Sequence, residues 1–392
     1  MSKAANIIVD PNGAYGKNAR KWQGVPTIEK TGKRLWAGWF TGGKYEPDLD
    51  NYAVIAYSDD DGKTWVEPYM AIQCPSDSGE RVFDPQLWKD NKGRLWLFWC
   101  QDTYAEDAVR SDFDTPGEEL NRGYFGDLRQ WAMRCDNPQA DQPEWTEPVC
   151  MWTGFTKNNV EILADGRWIV SAYDKEDGTK REDFLFKTKF LYSDDDGETF
   201  YESKGIVENA NSFCEPMTIQ LRDGTLWCLI RTMKGYLDET YSYDGGRTWT
   251  QIRQTDIANP STRFFVGRLK SGELLLVNTP IAQIGNRTGL VASLSEDEGK
   301  SWAYHFRIED RRSTTYPDIA LDDEGYIYII YDCQRDNRQE KDKENPLRSH
   351  AQKQICFAKI TADDIRAGRI VNEGSRLGHI ISKVEYDSRE LG

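Results

Sequence analysis

The sequence is poor in the residues on which metal and triad chemistry most often rests. Its 392 residues include three histidines, His305, His350 and His379, too few for a histidine-rich zinc site or a histidine-dependent triad. The eight cysteines form no CxxC pair, and several lie inside apolar runs such as "LWLFWC" and "LWCLI". That pattern fits buried free thiols in a reducing compartment better than a disulfide framework. No run approaches the roughly 18 apolar residues of a membrane span, and the opening "MSKAANIIVDPNG" has no signal-peptide core. As written the chain is expected to be soluble and cytoplasmic; a form already stripped of a leader would read the same. Basic residues are also in deficit. With 50 Lys and Arg against 65 Asp and Glu, the net charge of −15 argues against nucleic acid or an anionic membrane as partner. No cofactor and no metal are expected.

What the chain does have is repetition. A glycine turn enters an apolar strand six times: "TGKRLWAGWF", "NKGRLWLFWC", "ADGRWIVSAY", "RDGTLWCLIR", "KSGELLLVNT" and "DEGYIYIIYD". The turn glycines Gly32, Gly93, Gly166, Gly224, Gly272 and Gly325 stand 61, 73, 58, 48 and 53 residues apart, room for about four short strands in each period. Aromatic and β-branched enrichment between Gly, Asp, Asn and Pro supports strands over helices; only "TADDIRAG" reads as a short helix. The expectation is an all-β, six-bladed β-propeller, one domain over 1–392. Its blades fall at roughly 20–70, 80–150, 155–202, 210–252, 258–305 and 312–362, and the tail 363–392 is available to complete a blade. A terminal strand, "QICFAKI" or "HIISKVEY", is expected to close the ring.

A second motif follows the third strand of four units: "SDDDGKTW" (58–65), "SDDDGETF" (193–200), "SYDGGRTW" (242–249) and "SEDEGKSW" (295–302). Its acids lack the flanking helices and the twelfth-position Glu of an EF-hand. Its Ser, Asp, Gly and Thr instead suit a hairpin in which hydroxyl and carboxylate bond backbone amides and Gly takes positive φ.

Measured back from each turn glycine, the residues near the start of the preceding strand are Val25, Asp84, Asn159, Glu215, Arg263 and Tyr316. Four precede proline, which favours an extended backbone. Strands sharing a register point such residues at one mouth of the ring, and unpaired charge is costly to bury, so this column is a candidate site. Arg231 ends the run "LWCLIR", where its charge needs a partner or a ligand. Trp22, Trp39 and Tyr173 are candidate sugar-stacking walls. A structural ion pair between Glu215 and Arg231, with a packed Tyr316, would account for the same residues.

Four such acidic boxes in six strand-turn-strand units resemble the Asp boxes, or bacterial neuraminidase repeats, of the sialidase superfamily, over about Gln23 to Asp332. More specifically, Glu215 in "FCEPMTIQLRDGTLWCLIRT", Arg231 at the end of that stretch, Arg287 in "NRTGLVASLSEDEGKSW" and Tyr316 in "TTYPDIALDDEGYIYIIYD" match the family's Glu, Arg, Arg, Tyr order. The resemblance implies a tyrosine nucleophile, Tyr316, with Glu215 drawing its proton. A neutral phenol can approach an anomeric centre that carries its own carboxylate, and sialidases are the recognised exception to the two-carboxylate rule. Arg231 and Arg287 would hold that carboxylate. The acid/base is Asp48 or Asp50 in "KYEPDLDNY", with Asp84 as a further candidate; Arg263, Asn159, Gln23 and Trp39 complete the expected substrate contacts. One departure stands out: where sialidases carry a first arginine in an "RIP"-like motif, this chain has "QGVP", with Gly24 at the arginine position, and Arg20 and Arg263 are the candidates to replace it.

The implied activity is that of an exo-acting retaining glycoside hydrolase releasing a terminal acidic sugar, with an acidic oligosaccharide or glycoconjugate as partner. A lyase of the rhamnose–glucuronate type, with Tyr316 abstracting the C5 proton, and a glycan-binding propeller without chemistry use the same residues and stay open.

Overall fold

The computed structural model describes residues 3–43, 48–103, 127–175, 186–204, 207–209, 215–334 and 352–385. Their strands form six antiparallel sheets arranged as the blades of a propeller, the four main strands of each following one another in chain order. From the centre outwards, blade 1 runs Gln23–Thr31, Arg34–Thr41, Tyr52–Ser58 and Val66–Gln73, and blade 2 runs Glu80–Lys89, Leu95–Thr103, Arg129–Cys135 and Val149–Thr153. Blade 3 runs Glu161–Ile162, Trp168–Lys175, Phe186–Ser193 and Tyr201–Glu202, with Val207–Asn209 also paired to its third strand. Blade 4 is Met217–Gln220, Leu226–Ile230, Tyr236–Ser242 and Arg253–Ala258; blade 5 is Phe265–Arg268, Leu274–Asn278, Thr288–Ser295 and Tyr304–Arg312. Blade 6 is Thr314–Leu321, Tyr326–Cys333, Gln352–Thr361 and Arg376–Glu385.

All six turn glycines have positive φ, from +54° to +106°, where a side chain would strain the turn. The second strands they introduce are buried on both faces, which is why they read as unbroken apolar runs: Trp36, Trp39, Trp99 and Trp168 are all fully buried. The seven described cysteines are free, six of them buried; Cys214 lies outside the described residues. The segment "TADDIRAG" carries the helix Ala362–Ala367, with Thr361 and Asp364 forming a capping box.

No described strand is exchanged between blades 6 and 1. "QICFAKI" belongs to the third strand of blade 6 and most of "HIISKVEY" to its fourth, while the N-terminal strand Asn6–Val9 pairs with the outer strand of blade 1. Blades 1 and 6 meet through side chains instead. Asp318 accepts hydrogen bonds from the Thr27 hydroxyl (2.6 Å) and the Ile28 amide (3.1 Å), and Asp332 accepts one from the Val25 amide (2.8 Å). Farther out, Asp61 takes the Tyr328 hydroxyl and the Lys359 ammonium, each at 2.7 Å.

The four acidic boxes are hairpin locks. In the first, the Ser58 hydroxyl donates to Asp60 (2.7 Å) and accepts from the Gly62 amide (2.8 Å), while Asp60 accepts the Thr64 amide (2.8 Å) and hydroxyl (2.6 Å). The corresponding bonds recur around Asp195, Asp244 and Asp297. The Thr64 hydroxyl and amide hold the Asp60 carboxyl down at about 2. Their glycines also dock blade on blade. A Cβ on Gly62 would lie 2.6 Å from Phe357 of blade 6, and one on Gly299 would lie 2.6 Å from Trp227 of blade 4.

Asp60→Ala is expected to lower stability by roughly 1–2 kcal/mol in denaturant unfolding, through loss of hydrogen bonds to a charged acceptor; an unchanged midpoint would contradict the locking role. Glu29 is a second test. Buried on the inner strand of blade 1, it accepts the Lys30 amide (2.8 Å) and the Lys89 amide of blade 2 (2.9 Å), and burial pushes its carboxyl up to about 7. The folded state therefore holds a proton that the unfolded chain has released, so this contribution to stability is lost as pH rises from about 4.5 to about 7. Between pH 5 and 8 the fall in Tm should be shallower in Glu29→Gln than in the unsubstituted protein.

Candidate active site

The mouth of the ring is built by a break in the inner strands. Val25, Asp84, Glu215 and Tyr316, each followed by proline, have φ of +54°, +48°, +23° and +54°. This corrects the extended backbone expected of a residue before proline. Proline has no N–H to give the ladder, and pairing skips at this point between Gly24 and Thr27, Phe83 and Gln86, and Thr315 and Asp318. In these three blades the resulting bulge re-aims the side chain at the mouth. A left-handed backbone at a residue other than glycine costs about 1–3 kcal/mol and persists only where surrounding contacts impose it.

Those contacts are charges. Glu215, just before the first strand of blade 4, is almost completely buried. Its Oε2 accepts the Arg231 Nη1 hydrogen bond at 2.7 Å, and its Oε1 accepts the Tyr316 hydroxyl from blade 6 at 3.1 Å. Arg231 Nη1 also donates to the Tyr316 oxygen at 3.2 Å, so one guanidinium nitrogen bridges both partners. Lys157, from blade 3, lies 3.3 Å from Glu215 Oε1 and 2.7 Å from Asp84 Oδ2 of blade 2. Burial alone would raise the Glu215 carboxyl; Arg231 and Lys157 outweigh it and hold the group down at about 2. Glu215 in turn pushes Arg231 further up. The Lys157 ammonium also stands 5.3 Å from the centre of the Tyr316 ring.

The second arginine joins through Ser261. Its hydroxyl accepts from Arg231 Nε at 3.4 Å and its carbonyl from Arg287 Nη2 at 3.0 Å, so both guanidinium groups are anchored on one residue, itself at φ +64°.

Other expected contacts lie elsewhere. Arg263 is fully buried, and its guanidinium meets Asn158 (3.0 Å), Gln86 (3.2 Å) and Asp318 (3.5 Å) in the central channel. Asn159 accepts from Gln86 at 2.6 Å and belongs to the same network. Gln23 is buried in the seam, donating to the Lys353 carbonyl and accepting from Ser382. Arg20, the other candidate to replace the missing arginine, is bound to Glu67 and to the Tyr15 carbonyl. Trp39 and Tyr173 are wholly buried and Trp22 nearly so, which removes all three as sugar-stacking walls: each has its faces against the core. Asp48 and Asp50 sit in the loop of blade 1. Asp48 accepts the Asp50 amide at 3.0 Å and is half-buried, while Asp50 is exposed. The neighbouring 44–47 lie outside the described residues.

Lys157 is the residue that sequence spacing missed. Asp84, Glu215, Arg263 and Tyr316 each stand nine residues before their turn glycine, and nine before Gly166 is Lys157, not Asn159. The turn of blade 3 closes as theirs do, with Leu163 N donating to Arg167 O as Leu221 N does to Thr225 O. Only blade 1, whose tighter hairpin pairs Thr31 with Arg34, shortens the interval to seven.

Residues 33–329 match the model of the BNR repeat-like domain. The chain is 30% identical over 154 residues to Sialidase B of Streptococcus pneumoniae, covering 36% of this chain and 20% of that protein. It is 23% identical over 210 residues to the anhydrosialidase of the leech Macrobdella decora, covering 49% of this chain and 26% of that protein. These alignments thus span about a quarter or less of the curated relatives. The fold superposes on the intramolecular trans-sialidase of Ruminococcus gnavus with a TM-score of 0.63 at 16% identity, covering 91% of this chain and 98% of that one.

Removing the cation beside a buried carboxylate leaves it undercompensated. Arg231→Met should therefore cost about 3 kcal/mol in urea unfolding, whereas Arg287→Met, only partly buried and bonded to a carbonyl, should cost less than about 1 kcal/mol; equal losses would refute the asymmetry.

Proposed function

Because the chain belongs to the BNR repeat-like family of the sialidase superfamily, we propose that it is a sialidase-like, exo-acting retaining glycoside hydrolase that releases a terminal acidic sugar from a glycan. The observation that carries this reading is the Tyr316 hydroxyl 3.1 Å from Glu215 Oε1, with Arg231 bridging both. A phenol needs a base to attack, and Glu215, ionised throughout the neutral range, accepts its proton as the oxygen bonds to the anomeric carbon. Arg231 donating to the same oxygen stabilises the charge that builds there. Arg231 and Arg287, meeting at Ser261, take the sugar's carboxylate. Gly24, where sialidases carry an arginine, leaves this clamp two-armed on the side of blade 1. That points to an acidic sugar held less tightly by its carboxylate than sialic acid is when three arginines hold it. Asp48, Asp50 and Asp84 are the carboxylates from which the leaving oxygen and the later water find their acid and base.

The test is a screen of aryl sialosides and acidic oligosaccharides with the first-formed anomer followed by NMR. Tyr316→Phe and Glu215→Gln are each expected to lose at least about 100-fold in kcat/KM, and Asp48→Asn and Asp50→Asn in turn identify the acid. An unsaturated product, seen by its ultraviolet absorbance, would replace the hydrolase by the lyase; binding without turnover would leave a glycan-binding protein.

A further inference from the structure

Four groups from four blades form a continuous line through the site, joined by one hydrogen bond and two ion pairs. The Tyr316 hydroxyl lies 3.1 Å from Glu215 Oε1, that oxygen 3.3 Å from Lys157 Nζ, and Nζ 2.7 Å from Asp84 Oδ2. All four side chains are buried. Glu215 is held by Arg231 and Lys157 and kept at about 2, so it is too weak a base to keep a phenol's proton. Asp84, at the far end, is ion-paired to the same Lys157 ammonium. Other titratable groups around the line include Arg231 and Arg263 beside Glu215, Cys100 beside Asp84 and Lys157, Asp102 beside Asp84 with Arg81 paired to it, and Tyr173 beside both carboxylates. Burial drives the Cys100 thiol and the Tyr173 phenol well up, so both remain neutral and compete for no proton.

We propose that Lys157 is a proton-relay residue that carries the Tyr316 proton from Glu215 to Asp84, where it is stored while the sugar is bound to the tyrosine. The inference rests on the glycosidase reading above. As the Tyr316 oxygen bonds to the anomeric carbon, its proton passes to Glu215 Oε1; Lys157 gives an ammonium proton to Asp84 Oδ2 and takes the one on Glu215. The net change is a glycosylated Tyr316 and a neutral Asp84, with the Lys157 ammonium and the Glu215 carboxylate restored. The electron pair of the glycosidic bond leaves with the departing oxygen, which is protonated by Asp48 or Asp50. In the second half, that carboxylate takes a proton from the attacking water. The Tyr316–carbon electron pair returns to the phenolic oxygen, and the stored proton travels back from Asp84. Lys157 and Glu215 each end the cycle as they began it.

Arginine separates a relay from a purely structural cation, because a guanidinium keeps the charge and the ion pairs but does not give up a proton. With wild type active on the screening panel, Lys157→Arg, Lys157→Met and Asp84→Asn are each expected to lose at least about 100-fold in kcat while KM stays within about threefold. Wild-type rates in mixtures of H2O and D2O should bow downward, the mark of several protons in flight, and straighten in Asp84→Asn. Circular dichroism establishes that each variant is folded, and the near-isosteric Asp84→Asn decides the question if Lys157→Arg does not fold. A folded Lys157→Arg or Asp84→Asn with near wild-type kcat, or a straight wild-type plot, overturns the relay alone. A wild type inert on the whole panel overturns the relay and the proposed function together.

Discussion

A carboxylate withdrawn from water must be matched by a cation or by donors, and around this ring the match is usually made across blades. Asp84 of blade 2 is matched by Lys157 of blade 3, and Glu215 of blade 4 by Lys157 and by Tyr316 of blade 6. Asp318 of blade 6 meets Thr27 of blade 1, Gln86 of blade 2 and Arg263 of blade 5. None of these sheets could rotate or slide without stranding a charge, and a stranded buried charge costs several kcal/mol. The centre of the propeller is thus held by polar registry, while the space between blades is filled by the tryptophan-rich second strands.

The backbone of the inner strands answers to the same demand. In four of the six blades a proline follows the residue at the mouth, and that residue takes a left-handed conformation that persists only where surrounding contacts impose it. In Glu215 and Tyr316 the strain and the charge network coincide: both residues have a left-handed backbone, and a hydrogen bond across the ring joins their side chains.

Much of this was legible in the chain. The turn glycines and apolar runs of two-sided buried strands announced six blades, and the Ser, Asp, Gly and Thr of the acidic boxes announced hairpins, because each of those residue types has one local use. Glu215, Arg231, Arg287 and Tyr316 were legible as charged or polar residues at strand ends, and the structure brings the first two and Tyr316 into direct contact and the third to the same anchor. What stayed hidden depends on direction rather than identity. Trp39 and Tyr173 look the same in sequence whether they face a sugar or the core. Arg263 stands at the right position in its strand, but its guanidinium is drawn into the channel by Asp318 and Gln86. Lys157 was obscured by a two-residue difference in hairpin length between blade 1 and the other five.

The seam between blades 1 and 6 has a consequence for how the chain reaches this state. Every blade can assemble from neighbouring strands as the chain emerges, since no described strand is exchanged between the last sheet and the first. Thr27 and Asp318, by contrast, are 291 residues apart and cannot meet until the intervening sheets are in place. Ring closure is then the late event in folding, governed by a few buried hydrogen bonds rather than by a ladder of backbone pairs. An arc of finished blades that has yet to find its own first sheet would be the species most exposed to pairing with another molecule.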